Sequence, residues 1–208
     1  MQSVQAEPQE EQVGVEKSKL SPGFLIFLVA VFGGMMASSS QVAQGPSVLE
    51  TVFSVDPGWI STMLTVSAVV SLLTLDLGGR LMEKANPGTI WLVGLGIYAV
   101  ASGGMALPAG MGAGAGAGVI ALVLQLLFMQ GLSLVDMAKP ALAERATSLS
   151  PSTTQGVLLF AIAGGYSVGT LSGGQVAEVT SLAFLPGFAA IMALVSLVFA
   201  AWSLRFQR

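Results

Sequence analysis

Six long apolar runs, separated by short polar links, account for the chain from residue 21 onward. They fall at about 22–44, 57–77, 87–107, 114–143, 151–176 and 182–203. Crossing a hydrocarbon layer about 30 Å thick takes a helix of about 20 apolar residues, and each run reaches that length. The short alternating segments of a membrane barrel are absent. The pattern predicts an all-α protein of six transmembrane helices.

Four of the runs open with a capping residue followed by proline: Ser21-Pro22, Asp56-Pro57, Asn86-Pro87 and Ser150-Pro151. A cap side chain accepts from a free N–H of the first turn, and proline at the next position gives up a donor that had no partner. Helix ends are expected at Gly45-Pro46 and at Leu107-Pro108-Ala109-Gly110. Between the second and third runs stands the charged knot Asp76–Lys84, in which Gly78-Gly79 would permit a tight turn.

Composition agrees with the pattern. Of 208 residues, 53% are hydrophobic and 9% charged, with a mean hydropathy of +0.80. Soluble domains carry about 25% charged residues. Residues 1–20 are polar and acidic, and read as a disordered tail ahead of a six-helix domain at 21–208. That long acidic leader is unlike the short basic start of a cleaved signal peptide. With six spans, all 8 Lys and Arg fall on one side of the membrane. By the positive-inside rule both termini are expected in the cytoplasm, as in a bacterial inner membrane protein. Trp59, Trp91 and Trp202 lie near span ends, where aromatic rings favour the interface.

The chain has no Cys and no His. That removes thiol chemistry and the commonest general base, and no convergent set of acidic residues stands in for them, so no enzyme, metal site or cofactor is expected. A net charge of -3 offers no basic patch for nucleic acid. The 26 glycines form ridges at four-residue spacing, Gly110-Gly114-Gly118 and Gly165-Gly169-Gly173, that let helix backbones approach closely. No Gly-Lys-Ser/Thr follows the first ridge, so it is no phosphate loop.

Intramembrane charge is the sharpest functional signal. Asp136 lies in the inner half of the fourth span, with Lys139 one turn on and Pro140 expected to kink or end the helix. Gln125, Met129, Leu132 and Asp136 share one helical stripe. Two readings stand side by side. In one, Asp136 is a substrate-binding or proton-carrying carboxylate switched by Lys139. In the other, the two form a local ion pair with Lys139 snorkelling to the cytoplasm. No carboxylate lies near the midplane. The methionines read as flexible core filling, and Tyr166 on the fifth span as ordinary packing or as lining an interface between two halves.

Asp76, Gly79 and Arg80 match the signature Gly-x-x-x-Asp-Arg/Lys-x-Gly-Arg-Arg/Lys, with Leu72, Leu77 and Leu81 in place of its leading glycine and two basic residues. Gly156, Gly165, Gly169, Gly173 and Gly174 match Gly-x8-Gly-x3-Gly-Pro-x2-Gly-Gly, with Thr170 at the proline. Phe128-Met129-Gln130-Gly131 is similar to the end of Arg-x-x-Gln-Gly, with Leu127 at the arginine. In these features the chain resembles the major facilitator superfamily, and its length resembles one six-helix half of a twelve-helix transporter. The resemblance implies two inverted three-helix repeats with both termini inside. It implies a conformational latch at Asp76, Gly79 and Arg80, and a helix-packing motif at the five glycines. It also implies a cavity lined by the first and fourth helices, making Gln41, Gln44, Gln125, Gln130, Asp136 and Lys139 candidates for substrate binding or coupling. Leu127 leaves the proton-coupling role of the family's arginine without a bearer.

The expected function is transport of a small solute across the bilayer by a half-size carrier, working as a homodimer or with a second six-helix chain. The lack of a fixed midplane cation favours a neutral, apolar or cationic solute over a phosphate ester. The alternatives are a non-transporting membrane subunit or assembly factor of the same fold, or a fragment of a full-length transporter.

Overall fold

A computed structural model describes residues 20–111 and 116–207. The acidic tail and Gly114 lie outside that range. The described residues form six long helices and no strand: α1 Pro22–Thr51, α2 Pro57–Lys84, α3 Pro87–Met111, α4 Ala117–Ala146, α5 Pro151–Val179 and α6 Leu185–Ser203. Short 3-10 turns flank α6 at Leu182–Phe184 and Leu204–Gln207. All six helices are long and apolar enough to span a membrane, which fits an integral membrane protein.

The four cap-proline starts open helices as expected. Ser21 Oγ accepts from the N–H of Phe24 at 3.1 Å, Asp56 Oδ1 from that of Gly58 at 2.7 Å, and Asn86 Oδ1 from that of Gly88 at 2.9 Å. Ser150 Oγ accepts from the N–H of Thr153 at 3.3 Å. Ser21 also donates to the carbonyl of Ala146 at 2.8 Å, tying the start of α1 to the end of α4.

The ends of α1 to α5 differ from the sequence expectation in one direction, each helix running on, while α6 ends at Ser203 as expected. α1 continues through Pro46 to Thr51, α3 through Pro108 to Met111, and α4 through Pro140 to Ala146. Proline removes one intrahelical donor. In each case the residues beyond it are buried and hold the last turns against the bundle: Val48 and Leu49, Ala109, and Leu142 and Ala143. Likewise α2 does not turn at Gly78-Gly79 but stays helical to Lys84, and only Ala85-Asn86 separates it from α3. Gly78 serves close approach, since a Cβ there would run into the Met137 side chain of α4.

α1, α6, α3 and α4 close a ring, each packed against the next, with α5 flanking α1 and α2 flanking α4. Exchanging helices one with four, two with five and three with six maps this set of neighbours onto itself. The sequence carries the same relation at a shift of 94 positions, which superposes Pro46 on Pro140 and Pro57 on Pro151. Under that shift Phe27, Val31, Gly34, Gln41, Gly45 and Val48, all buried in α1, fall on buried positions of α4. Ile60 and Ser67 of α2 fall likewise on buried Thr154 and Ala161 of α5.

Small residues make the tightest crossings. A Cβ on Gly165 would stand 2.5 Å from the carbonyl oxygen of Phe32, one on Gly169 would overlap Met36 and Ser39, and one on Gly173 would lie 2.7 Å from Ser40 Cβ. Gly156 and Gly174 face open space, as does Gly79. At the α3–α4 crossing Gly94 and Gly131 press on each other's carbonyls. Aromatic residues fill the interior behind them. Trp91 is buried against Phe27, with ring centroids 5.2 Å apart, whereas Trp59 and Trp202 are exposed.

Replacing Gly169 with Leu forces α5 away from α1 and is expected to destabilise the bundle by about 1–3 kcal/mol in a reversible detergent-denaturation titration. Gly174→Ala, in open space on the same helix, is expected to be neutral or stabilising by at most about 1 kcal/mol.

Candidate functional site

In lipid a polar side chain must find its partner within the protein. The polar residues of the inner helices gather at three places along α4, and each gathering reaches a different neighbour.

The first joins α4 to α1. Gln41 Nε2 donates to Gln125 Oε1 at 2.9 Å and lies 3.8 Å from Met105 Sδ of α3, and both glutamines are fully buried. Gly45, one turn beyond Gln41, makes room for the Gln125 amide. Gln41 Oε1 and, on α3, Ser102 Oγ are buried with no hydrogen-bond partner among the described residues. Gln44 is half-buried and does not join this pair.

The second joins α4 to α2. Thr74 donates to Gln130 Oε1 at 2.7 Å, Gln130 Nε2 donates to Ser71 Oγ at 3.4 Å, and Ser133 donates to the same Ser71 oxygen at 3.1 Å. Gln130 is thus held in a helix–helix clasp. Nothing in the residue types announced Thr74 and Ser71 as its partners, since they lie 56 and 59 residues away in sequence.

The third gathering carries charge. Lys139 Nζ donates to Asp136 Oδ1 at 2.6 Å and lies 2.9 Å from Met35 Sδ of α1. The burial of the pair is lopsided: the Lys139 side chain is 2% exposed and that of Asp136 is 53% exposed. The expected snorkelling of Lys139 to the aqueous face is therefore not what the chain does. Lys139 falls on the stripe of α4 that turns inward, with Val135 and Leu142, while Asp136 falls where no helix covers it. Tyr98 stands nearby on α3, its ring edge-on to Phe128 at 4.7 Å and its hydroxyl donating to the Gly34 carbonyl at 3.5 Å. The helix shift described above places Gly45 and Val42 of α1 opposite Lys139 and Asp136, so the packing scheme itself calls for no charge at these positions.

The Asp76–Arg80 pair lies apart from these groups. Arg80 Nη2 stands 3.1 Å from Asp76 Oδ2 one turn away on the same helix, and both side chains are largely exposed. Neither side chain makes a hydrogen bond or ion pair to a second helix among the described residues, and Gly79 between them has open space. An apolar groove between α3 and α4, lined by Gly96, Ile97, Val100, Ala101, Leu124 and Leu127, contains no side chain that could orient a polar solute.

Of the residues singled out in the sequence, the structure brings Gln41 and Gln125 together, puts Asp136 and Lys139 in contact, and sets Gln130 against α2. No hydrogen bond links one of the three gatherings to another among the described residues. Among the described residues no group of three His, Cys, Asp or Glu could hold a metal ion.

Gln125→Leu leaves the Gln41 amide without its side-chain partner and is expected to cost about 1 kcal/mol, in the range of interhelical hydrogen bonds in membranes. The double variant Gln41→Leu/Gln125→Leu is expected to cost clearly less than the sum of the two single changes in the same denaturation titration. An additive result would show that the two amides are not coupled. No protein-family model matches this chain, and no curated protein matches it.

Proposed function

We propose that this protein is a half-size carrier of a small solute, resembling one half of a major-facilitator transporter, that works as a pair of six-helix units. The observation that carries this reading is the half-exposed Asp136 held against the buried Lys139, inside a membrane-length helix at a place the packing does not require charge. A carboxylate in that position has no structural need to face outward. It suits a surface that meets water or a polar solute rather than lipid.

Two further features support the reading. The exchange of helices one to three with four to six, together with the shift of 94 positions, fits two inverted three-helix repeats. In addition, α2 and α5 are each packed mainly against one helix and leave Leu64, Val69, Leu72, Leu73, Leu159, Phe160 and Leu171 exposed. Those are the helices by which one half would meet another. A single half lacks an opposing wall, so a cavity that opens alternately to the two sides needs the second unit. Both termini are assigned to the cytoplasm from the basic residues, placing Arg80, Lys84, Arg145 and Arg205 on the inner face.

A second reading is a non-transporting membrane subunit of the same fold. It is favoured by the Asp76–Arg80 pair, which closes on its own helix and does not bridge to another.

Pairing separates the two readings before any solute is known. The protein part of the detergent particle, measured by light scattering with refractive-index correction, is expected to have the mass of two chains of 21.2 kDa. A monodisperse single-chain particle, in detergent and again in lipid nanodiscs, would contradict the carrier reading.

A further inference from the structure

The unequal burial of the ion pair decides which of its members an incoming ligand can meet. Lys139 Nζ is enclosed by Met35 and by its own helix, while more than half of the Asp136 side chain is open. A solute that reaches this place touches the carboxylate first, so it is a cation that the site can take. An anion would have to displace Asp136 to reach a nitrogen it cannot approach. We propose that Asp136 binds a small monovalent cation, an alkali ion or a primary ammonium, in exchange for the Lys139 ammonium, which gives up one proton to water.

The exchange follows from what remains around Lys139 once Asp136 is occupied. Its other near neighbour is the Met35 thioether at 2.9 Å, a weak acceptor. An uncompensated ammonium in an apolar site is far more costly than a neutral amine. One N–H bond of Lys139 breaks, the electron pair stays on nitrogen, and the proton leaves to water. The carboxylate keeps its charge and trades an ammonium for the arriving cation. One positive charge enters and one departs, so the site carries the same net charge before and after.

No other group stands ready to take over either role. Tyr98 is the only titratable residue of α3, and its hydroxyl is engaged with Gly34. α1 brings Met35 and has its single acidic residue, Glu50, at the far end of the helix. On α2, Asp76 and Arg80 are spent on each other, and Glu83 and Lys84 are exposed at the end of the helix. α5 carries Tyr166 and, next to its last residue, the exposed Glu178, and α6 has no titratable residue. Beyond Lys139 on α4 itself, Glu144 accepts from Gln155 at 3.2 Å and Arg145 is exposed, as is Arg205 in the 3-10 turn after α6.

This inference deepens the carrier reading, resting on Asp136 facing water, but it needs neither pairing nor transport to be tested. The detergent-purified full chain is titrated in weak buffer with a pH indicator, at constant ionic strength held with choline chloride. Methylammonium chloride and sodium chloride are the two probes. The expected result is a saturable release approaching about one proton per chain with at least one probe. Asp136→Asn is expected to lose it, with Asp136→Gln replacing that variant if it is not monodisperse on gel filtration. Lys139→Met is expected to bind the radiolabelled probe in equilibrium dialysis while releasing no proton. The proposal is overturned by no release from the unaltered chain with either probe, by release that survives Asp136→Asn, or by release that survives Lys139→Met. Absent release together with a two-chain particle would sink the exchange and leave the carrier standing. Release from a single-chain particle would do the reverse.

Discussion

Hydrocarbon offers no partner to a polar atom, and the arrangement of this chain is subordinate to that fact. The hydrophobic effect that packs a soluble core gives little reason for one apolar helix to prefer another over lipid, so contact has to come from close approach and internal bonding. Both devices are visible where α1 meets α5 and α4. On one side Gly165, Gly169 and Gly173 bring backbone against backbone. On the other, Gln41 and Gln125 satisfy each other. The Ser21 bond to Ala146 and the Gln130 clasp to Ser71 and Thr74 extend the same logic to the helix ends and to α2.

Within that scaffold helices one to three and four to six have matching neighbours but unlike chemistry. Much of what α4 buries lies opposite buried positions of α1, and both helices pass through a proline at the same point. Yet where α1 has Val42 and Gly45, α4 has Asp136 and Lys139. Glycine there opens space for the Gln125 amide; lysine fills space and brings a charge that only Asp136 compensates. A departure from an otherwise shared pattern, at a cost in desolvation, marks the place where packing is least able to explain the residue. The membrane-spanning part of the chain holds little other charge. Beside this pair, Asp76 and Arg80 near the end of α2 are exposed and paired one turn apart on a single helix surface.

The number of helices, their type and four of their starts were legible in the sequence, because hydropathy and cap-proline pairs are local signals. The ends were not. Pro46, Pro108 and Pro140 break a helix in isolation, and only burial of Val48, Ala109 and Leu142 beyond them keeps the backbone helical. Gly78-Gly79 looked like a turn because its partner, Met137, is distant in sequence. At the candidate site, residue types pointed to Asp136 and the stripe through Gln125, but the decisive property, which of the two charges is buried, depends on α1 supplying Met35 against Lys139. A helical wheel of α4 alone places the two side chains about 60° apart and says nothing of which one the neighbouring helix covers. The 94-position shift was present in the sequence, carried by Pro46, Pro57, Pro140 and Pro151, but it is faint without the buried positions to align.

The account turns on Asp136 facing water while Lys139 does not. The chain has no cysteine, so single cysteines can be placed at 136 and at 139 and challenged in membrane vesicles with a membrane-impermeant thiol reagent. Because a thiol must ionise to react, labelling reports water at that position. Rapid modification at 136 and protection at 139 is the predicted result. Equal reactivity at the two positions, or protection at 136, would contradict it.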